Sequence, residues 1–265
     1  MDREWSIVAR ITLVAVLLPA LAGCYEAQPK PRIGGEQPPL VLLPARTPPP
    51  RQRLMGRSVQ GRPIMIQSVG QGNDTTFIMA TIHGNEPAGT PLLNALVDYL
   101  RDNPQLLEGR RVVLLPSANP DGQAKNTREN ARGIDLNRNF ETANRVDNGT
   151  NGLRPLTEPE CQVLQTILKE YAPSRIVSVH QPLDCIDYDG PGQAIAARMA
   201  QNCDLAVKKL GAKPGSLGSY TGETLGIPTI TLELPAEASK LSERALWQKY
   251  GKALLAAILY PQHVP

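Results

Sequence analysis

Four short apolar runs separated by segments of helical period constrain this chain more than any other feature. They are Phe77-Ile78-Met79-Ala80-Thr81-Ile82, Val112-Val113-Leu114-Leu115, Ile176-Val177-Ser178-Val179 and Thr229-Ile230-Thr231-Leu232. Short, β-branched runs bounded by polar residues predict strands buried on both faces. After the first run, Leu92, Leu93, Leu96 and Leu100 recur at helical spacing, and Cys161, Val163, Leu164, Ile167 and Leu168 make one stripe within Glu158 to Tyr171. Further helices are predicted near Ala194 to Leu210 and from about Glu243 to Leu259, and a hairpin turning at Gly61 precedes the first run. Strands alternating with helices predict an α/β fold of three layers around a twisted mixed, largely parallel sheet.

The chemistry gathers at the strand ends. His83 follows the first run in Ile82-His83-Gly84-Asn85-Glu86, His180 ends the third, and Glu233 ends the fourth. Open α/β sheets place their sites beyond the carboxyl ends of such strands. A histidine and a glutamate three apart, joined by a distant histidine, can give one zinc ion N, O and N, leaving a fourth position for water. His-x-x-Glu alone is weak, and the weight rests on its setting. Residues 117–151 are polar and rich in Asn, Asp, Arg and Gly, and a long irregular segment inside a compact domain is usually functional. His263, in the tail 261–265, has no such setting.

The first 23 residues read as an export signal. Arg3 and Arg10 flank a polar start, and Ile11 to Ala22 is apolar but too short to span a bilayer. The segment closes with Leu21-Ala22-Gly23-Cys24, which resembles the lipobox of bacterial lipoproteins and implies cleavage before Cys24 and lipidation of its thiol. Tyr25, rather than aspartate, follows, and in Gram-negative lipoproteins that resembles sorting to the outer membrane. Residues 24–54 then read as a tether, with eight prolines between Pro29 and Pro50, and the catalytic domain is expected over 55–260. A net charge of +3 argues against a nucleic-acid partner, which calls for a clustered basic stripe. Export permits a disulfide, and Cys185 with Cys203 is the favoured pair, with three buried thiols as the alternative.

Taken together, the landmarks resemble the zinc carboxypeptidase superfamily, and within it the bacterial murein peptide amidase branch. They are His83-Gly84-Asn85-Glu86, Asn119-Pro120-Asp121-Gly122, the stretch Arg128-Glu129-Asn130-Ala131-Arg132-Gly133-Ile134-Asp135-Leu136-Asn137-Arg138, His180 with 93 residues between it and Glu86, Gly215-Ser216-Leu217-Gly218, and Thr231-Leu232-Glu233. The resemblance implies a carboxypeptidase-like fold with one zinc ion held by His83, Glu86 and His180. It implies that Glu233 is the general base and acid that moves a proton from the attacking water to the leaving amine. Arg128 matches the arginine that steadies the oxyanion, while Asn137 and Arg138 match the pair that grips a substrate carboxylate. Asp121 and Asp135 read as turn-forming or ligand-supporting residues, Arg132 as structural, and Leu217 as lining a specificity pocket. Pancreatic members carry a mobile tyrosine upstream of the Gly-Ser segment. Here Ala212-Lys213-Pro214 occupies that region, and Tyr220 is a weak substitute.

The resemblance implies a metallopeptidase of the bacterial envelope, cutting the amide between γ-D-glutamate and diaminopimelate, or a neighbouring amide, in peptidoglycan peptides. Two other readings compete. One is an N-acyl amino-acid deacylase like aspartoacylase or succinylglutamate desuccinylase, whose members share His-Gly-Asn-Glu and Asp-Leu-Asn-Arg. The other is a wall-binding lipoprotein without turnover. Against the last stands the retention of all three ligands and the base.

Overall fold

A computed structural model describes residues 50–264. The export signal, Cys24 and the tether up to residue 49 lie outside the described residues. Seven strands form one sheet: β1 Arg51–Arg57, β2 Pro63–Gly70, β3 Asp74–Ala80, β4 Arg110–Leu115, β5 Arg175–His180, β6 Leu183–Asp189 and β7 Thr229–Pro235. Their order is β1-β2-β4-β3-β5-β7-β6. The central neighbours β4, β3, β5 and β7 run parallel, while β1, β2 and β6 join antiparallel. The expected mixed sheet is therefore present.

Among the described residues five α-helices accompany the sheet: α1 Gly89–Asp102, α2 Pro120–Lys125, α3 Pro159–Tyr171, α4 Gln193–Ala200 and α5 Glu243–Leu259. Side chains alternate across a strand, so each central strand feeds two cores. Ile78, Ala80, Val112, Leu114, Val177, Val179, Ile230 and Leu232 join α1, α4 and α5 on one face. Phe77, Met79, Val113, Leu115 and Ile176 join the α3 stripe on the other. On that second face the apolar pattern stops partway across the sheet. In β5 and β7 the corresponding positions are Ser178, His180, Thr229, Thr231 and Glu233, and there the cavity lies.

Several elements differ from the sequence expectation. Strand β1 starts at Arg51, inside the stretch assigned to the tether, because 51–54 pairs with Met65–Ser68 of β2. The helix expected near Ala194 to Leu210 ends at Ala200. Beyond it the backbone lies along β6, where Ile186 donates to Ala206 O and accepts from Lys208 N. Strand β6 itself has no counterpart in the sequence reading, nor has α2. Cys185 and Cys203 are not paired; with Cys161 they are free thiols, Cys185 buried within β6 and Cys203 donating to Met199 O. Among the described residues no helix is long and apolar enough to cross a membrane.

The polar segment after β4 is ordered by side chains that replace missing backbone partners. Asn119 caps α2 by accepting from Gly122 N, with Pro120 at the first helical position, and donates to Ile82 O and Arg128 O. Asn139 is fully buried, donating to Asn151 O and accepting from Thr157 N. Asn130 accepts from Ile134 N and donates to Glu158. Buried amides satisfied in this way give an irregular chain a defined shape.

Candidate metal centre

The His83 loop is set by backbone geometry as much as by its side chains. Thr81 sits at φ +54°, a strained position for a β-branched residue. Its hydroxyl reaches Glu86 O and Thr90 Oγ1, which holds the loop to the start of α1. Gly84 lies against α2, where a Cβ would fall 2.0 Å from Gly122 C, so no larger residue fits between the ligands.

His83, Glu86 and His180 converge. One ligand atom from each lies within 4.8 Å of the others, the one such cluster among the described residues. Glu86 Oε1 is 2.8 Å from His83 Nδ1, and Oε2 is 3.0 Å from His180 Nδ1. Both rings thus turn the same nitrogen inward. His83 Nε2 lies 3.2 Å from Asp135 Oδ1, which favours a proton there and a free lone pair on Nδ1. All three groups are buried. Burial opposes ionisation of Glu86, yet the hydrogen bonds with His180 and His83 outweigh it and hold the carboxyl well below its usual range. In Asp135 burial is likewise overcome by the His83 bond, bringing the carboxyl to about 2. Two imidazoles and one carboxylate in a buried, open-sided cluster suit zinc in a three-ligand site.

Glu233 stands beside this cluster, since it pairs in register with His180 across β5 and β7. Its Oε2 is buried and has no hydrogen-bond partner, and burial pushes its carboxyl up. Arg128 reaches over the site, with Nε 3.0 Å from Asp135 Oδ2 and a terminal nitrogen 3.5 Å from Glu86 Oε1. Asn137 and Arg138 follow Asp135, whose Oδ1 accepts from Asn137 N. Asn137 Oδ1 in turn accepts from Leu217 N, fastening the Gly-Ser segment to this loop. Glu233, Arg128, Asn137 and Arg138 line a single cavity of about 200 Å³ together with the three ligands and Leu217.

Other residues singled out from the sequence lie elsewhere. Asp121 accepts from Ser58 Oγ, Gln60 N and Arg62, and so clamps the β1–β2 turn. Arg132 contacts Glu158. Tyr220 stacks on Phe140 with ring centres 5.7 Å apart, packed against the core and away from the cavity lining. His263 is exposed. Among the cavity residues to which the sequence assigned no role are Ser178, Asp187 and Asp189. The alternating acids of Asp187-Tyr188-Asp189 were the available signal, hidden because β6 was not recognised as a strand.

The sequence profile of the zinc carboxypeptidase family matches residues 48–238. Murein peptide amidase A of Escherichia coli K12 is 32% identical over 219 residues, covering 75% of this chain and 88% of that protein. The same-named protein of Vibrio campbellii is 30% identical over 229 residues, covering 79% of this chain and 87% of its own. The crystal structure of murein-tripeptide amidase from Escherichia coli O157 superposes with a TM-score of 0.63 at 27% identity, over 86% of this chain and 97% of that one. Carboxypeptidase A from Helicoverpa armigera, at 21% identity and a TM-score of 0.67, shares the fold. A profile covering most of the folded part, and full-domain relatives at 30% identity or more, leave one conclusion: the chain belongs to the zinc carboxypeptidase family of hydrolases.

Proposed function

We propose that this protein hydrolyses peptidoglycan peptides, cutting the amide between γ-D-glutamate and diaminopimelate with a zinc ion held by His83, Glu86 and His180. The observation that carries the reading is Glu233. A buried carboxylate whose Oε2 has no partner, in register with a metal-facing histidine, is poised to accept a proton from water. Zinc in a three-donor site supplies Lewis acidity and makes hydroxide available near neutral pH. Glu233 takes the proton of the attacking water and delivers it to the departing nitrogen. Arg128, held in orientation by Asp135, stabilises the negative charge that develops on the carbonyl oxygen. Asn137 and Arg138 take the carboxylate next to the cleaved bond, for which the guanidinium fork is suited.

Relatives named as murein peptide amidases over most of the domain support this substrate over a small acyl-amino acid. The anchor is part of the proposal: lipidation at Cys24, with the Pro-rich tether, holds the enzyme at the periplasmic face of the outer membrane. The test is incubation of the purified protein with defined muropeptides, with and without a chelator. Chelator-sensitive release of diaminopimelate or its peptides is expected. Its absence refutes the substrate assignment.

A further inference from the structure

The sheet ends just short of the residues that do the chemistry. β5 lies between β3 and β7, and its pairing with β3 stops at Ala80 and Val179, that with β7 at His180 and Glu233. Glu86 and the chain after Glu233 therefore lie past the last paired residues, on opposite sides of β5. The residue that leaves β5 at this point is Gln181, and its side-chain amide reaches both ways. Oε1 accepts from Ala88 N at 3.1 Å, at the start of α1. Nε2 donates to Pro235 O at 3.2 Å and to Ala236 O at 3.4 Å, at the end of β7. The backbone N–H of Gln181 donates to Glu86 Oε2 at 3.1 Å.

The partners fix the sense of the amide. Reversed, it would set its NH₂ against the Ala88 N–H and its oxygen against two carbonyls. As placed, it also satisfies a helix-start N–H that no neighbouring side chain caps. Gln181 is buried and borders the cavity, but both of its amide hydrogens are taken by backbone oxygens, so it has no donor left for a substrate. On its far side β7 is held by β6, with Cys185 opposite Glu233 and Leu183 opposite Pro235. Gln181 is the tie on the near side, joining the Glu233 strand end to the loop that carries Glu86.

We infer that Gln181 is a positioning residue for the reaction, fixing the Glu233 carboxylate relative to the Glu86 loop, and so relative to the attacking water, without touching substrate. The inference rests on Glu233 as the base in the reading above and goes one residue beyond it. A base works only within hydrogen-bond reach of the proton it takes, and a misplacement of about 1 Å costs about 100-fold in rate.

The experiment compares wild type with two replacements. Gln181→Met keeps the length and volume and removes all three side-chain bonds. Gln181→Glu keeps the acceptor for Ala88 N and loses both donors to residues 235 and 236. The substrate is L-Ala-γ-D-Glu-meso-diaminopimelate, and zinc affinity is measured separately by chelator competition. Both replacements are expected to lower kcat by about 10–100-fold. KM and zinc affinity should stay within about threefold of wild type, because the bond to Glu86 comes from the backbone. The loss should also pass through the base: added to Glu233→Gln, Gln181→Met should cost less than about threefold more in single-turnover rate. An unchanged kcat overturns the inference and leaves the peptidoglycan reading intact. So does a loss repeated in full beside Glu233→Gln, a loss carried by KM or by zinc affinity, or the failure of both variants to fold by circular dichroism, since each marks a general structural role. No chelator-sensitive turnover of the peptide by wild type defeats the peptidoglycan reading, and this inference with it.

Discussion

Asp135→Asn separates the support of a metal ligand from the ligand itself. Asp135 touches nothing of the metal position directly; it bonds His83 Nε2 at 3.2 Å, Arg128 Nε at 3.0 Å and Asn137 N at 2.9 Å. An asparagine cannot serve all three. If its oxygen stays on His83, its NH₂ faces the Arg128 donors. If it turns, its NH₂ faces His83 Nε2, which must then accept, moving the proton to Nδ1 and removing the lone pair that faces Glu86. Either choice weakens the site. Loss of such an outer partner lowers metal affinity by about 10–100-fold, which is about 1.4–2.7 kcal/mol. The assay is competition for zinc against a chromophoric chelator, with circular dichroism to check the fold. Zinc affinity within about threefold of wild type, in a protein of unchanged fold, would refute the argument that Asp135 sets the His83 tautomer.

Glu233→Gln should retain zinc and fold yet lose about 10²–10⁴-fold in kcat, measured alongside metal content by elemental analysis. Arg128→Lys cannot reproduce the fork that spans Asp135 and the cavity, and a loss of about 10²–10³ in kcat with a smaller change in KM is expected from steady-state kinetics. Leu96→Ala, at a fully buried α1 position between the sheet and α5, should cost about 2–5 kcal/mol in denaturant unfolding. Asp121 carries the pH dependence that is simplest to isolate. Burial raises its pKa, but bonds from Gln60 N, Arg62 and Ser58 outweigh that and lower it. A depressed folded pKa stabilises above the unfolded value of about 3.9, and the contribution disappears as pH falls through the folded value. The gap in melting temperature between wild type and Asp121→Asn should therefore be largest above about pH 5 and shrink below about pH 4.

The legible parts of this chain are those where local pattern and tertiary role agree. The helix expected at about Glu243 to Leu259 was readable because its apolar spacing is continuous, and the structure adds the cap, Ser242 accepting from Ala245 N. The buried runs identified β3, β4, β5 and β7 because strands covered on both faces need no polar alternation. β6 failed the same test. Leu183-Asp184-Cys185-Ile186-Asp187-Tyr188-Asp189 carries three aspartates, and aspartate is depleted in strands because it gains little on a half-buried sheet. Here two of those acids face a cavity instead of solvent or core, so the physics behind the propensity is suspended. The helix α2 was missed for a related reason: Asn119, Pro120 and Asp121 are ordinary capping residues, but they lie within a stretch that looks irregular throughout.

The same consideration explains why the metal ligands were easier to find than the polar row beside them. His83, Glu86 and His180 interrupt apolar surroundings with groups that have few uses there other than binding an ion. Ser178, Thr229 and Thr231 interrupt them too, but hydroxyls are tolerated in buried strands and raise no alarm alone. Only the register makes them a surface: with Ser178 beside Thr231 and Thr231 beside Asp187, three unremarkable positions become one polar row. On the same face, Phe77, Met79, Val113 and Leu115 fill β3 and β4 with core. The boundary between core and cavity therefore runs along β5, where Ile176 packs inward and Ser178 and His180, two and four residues on, do not. A reaction centre placed at the strand end thus has the polar wall of its cavity on the strand itself, one step back along the period of two.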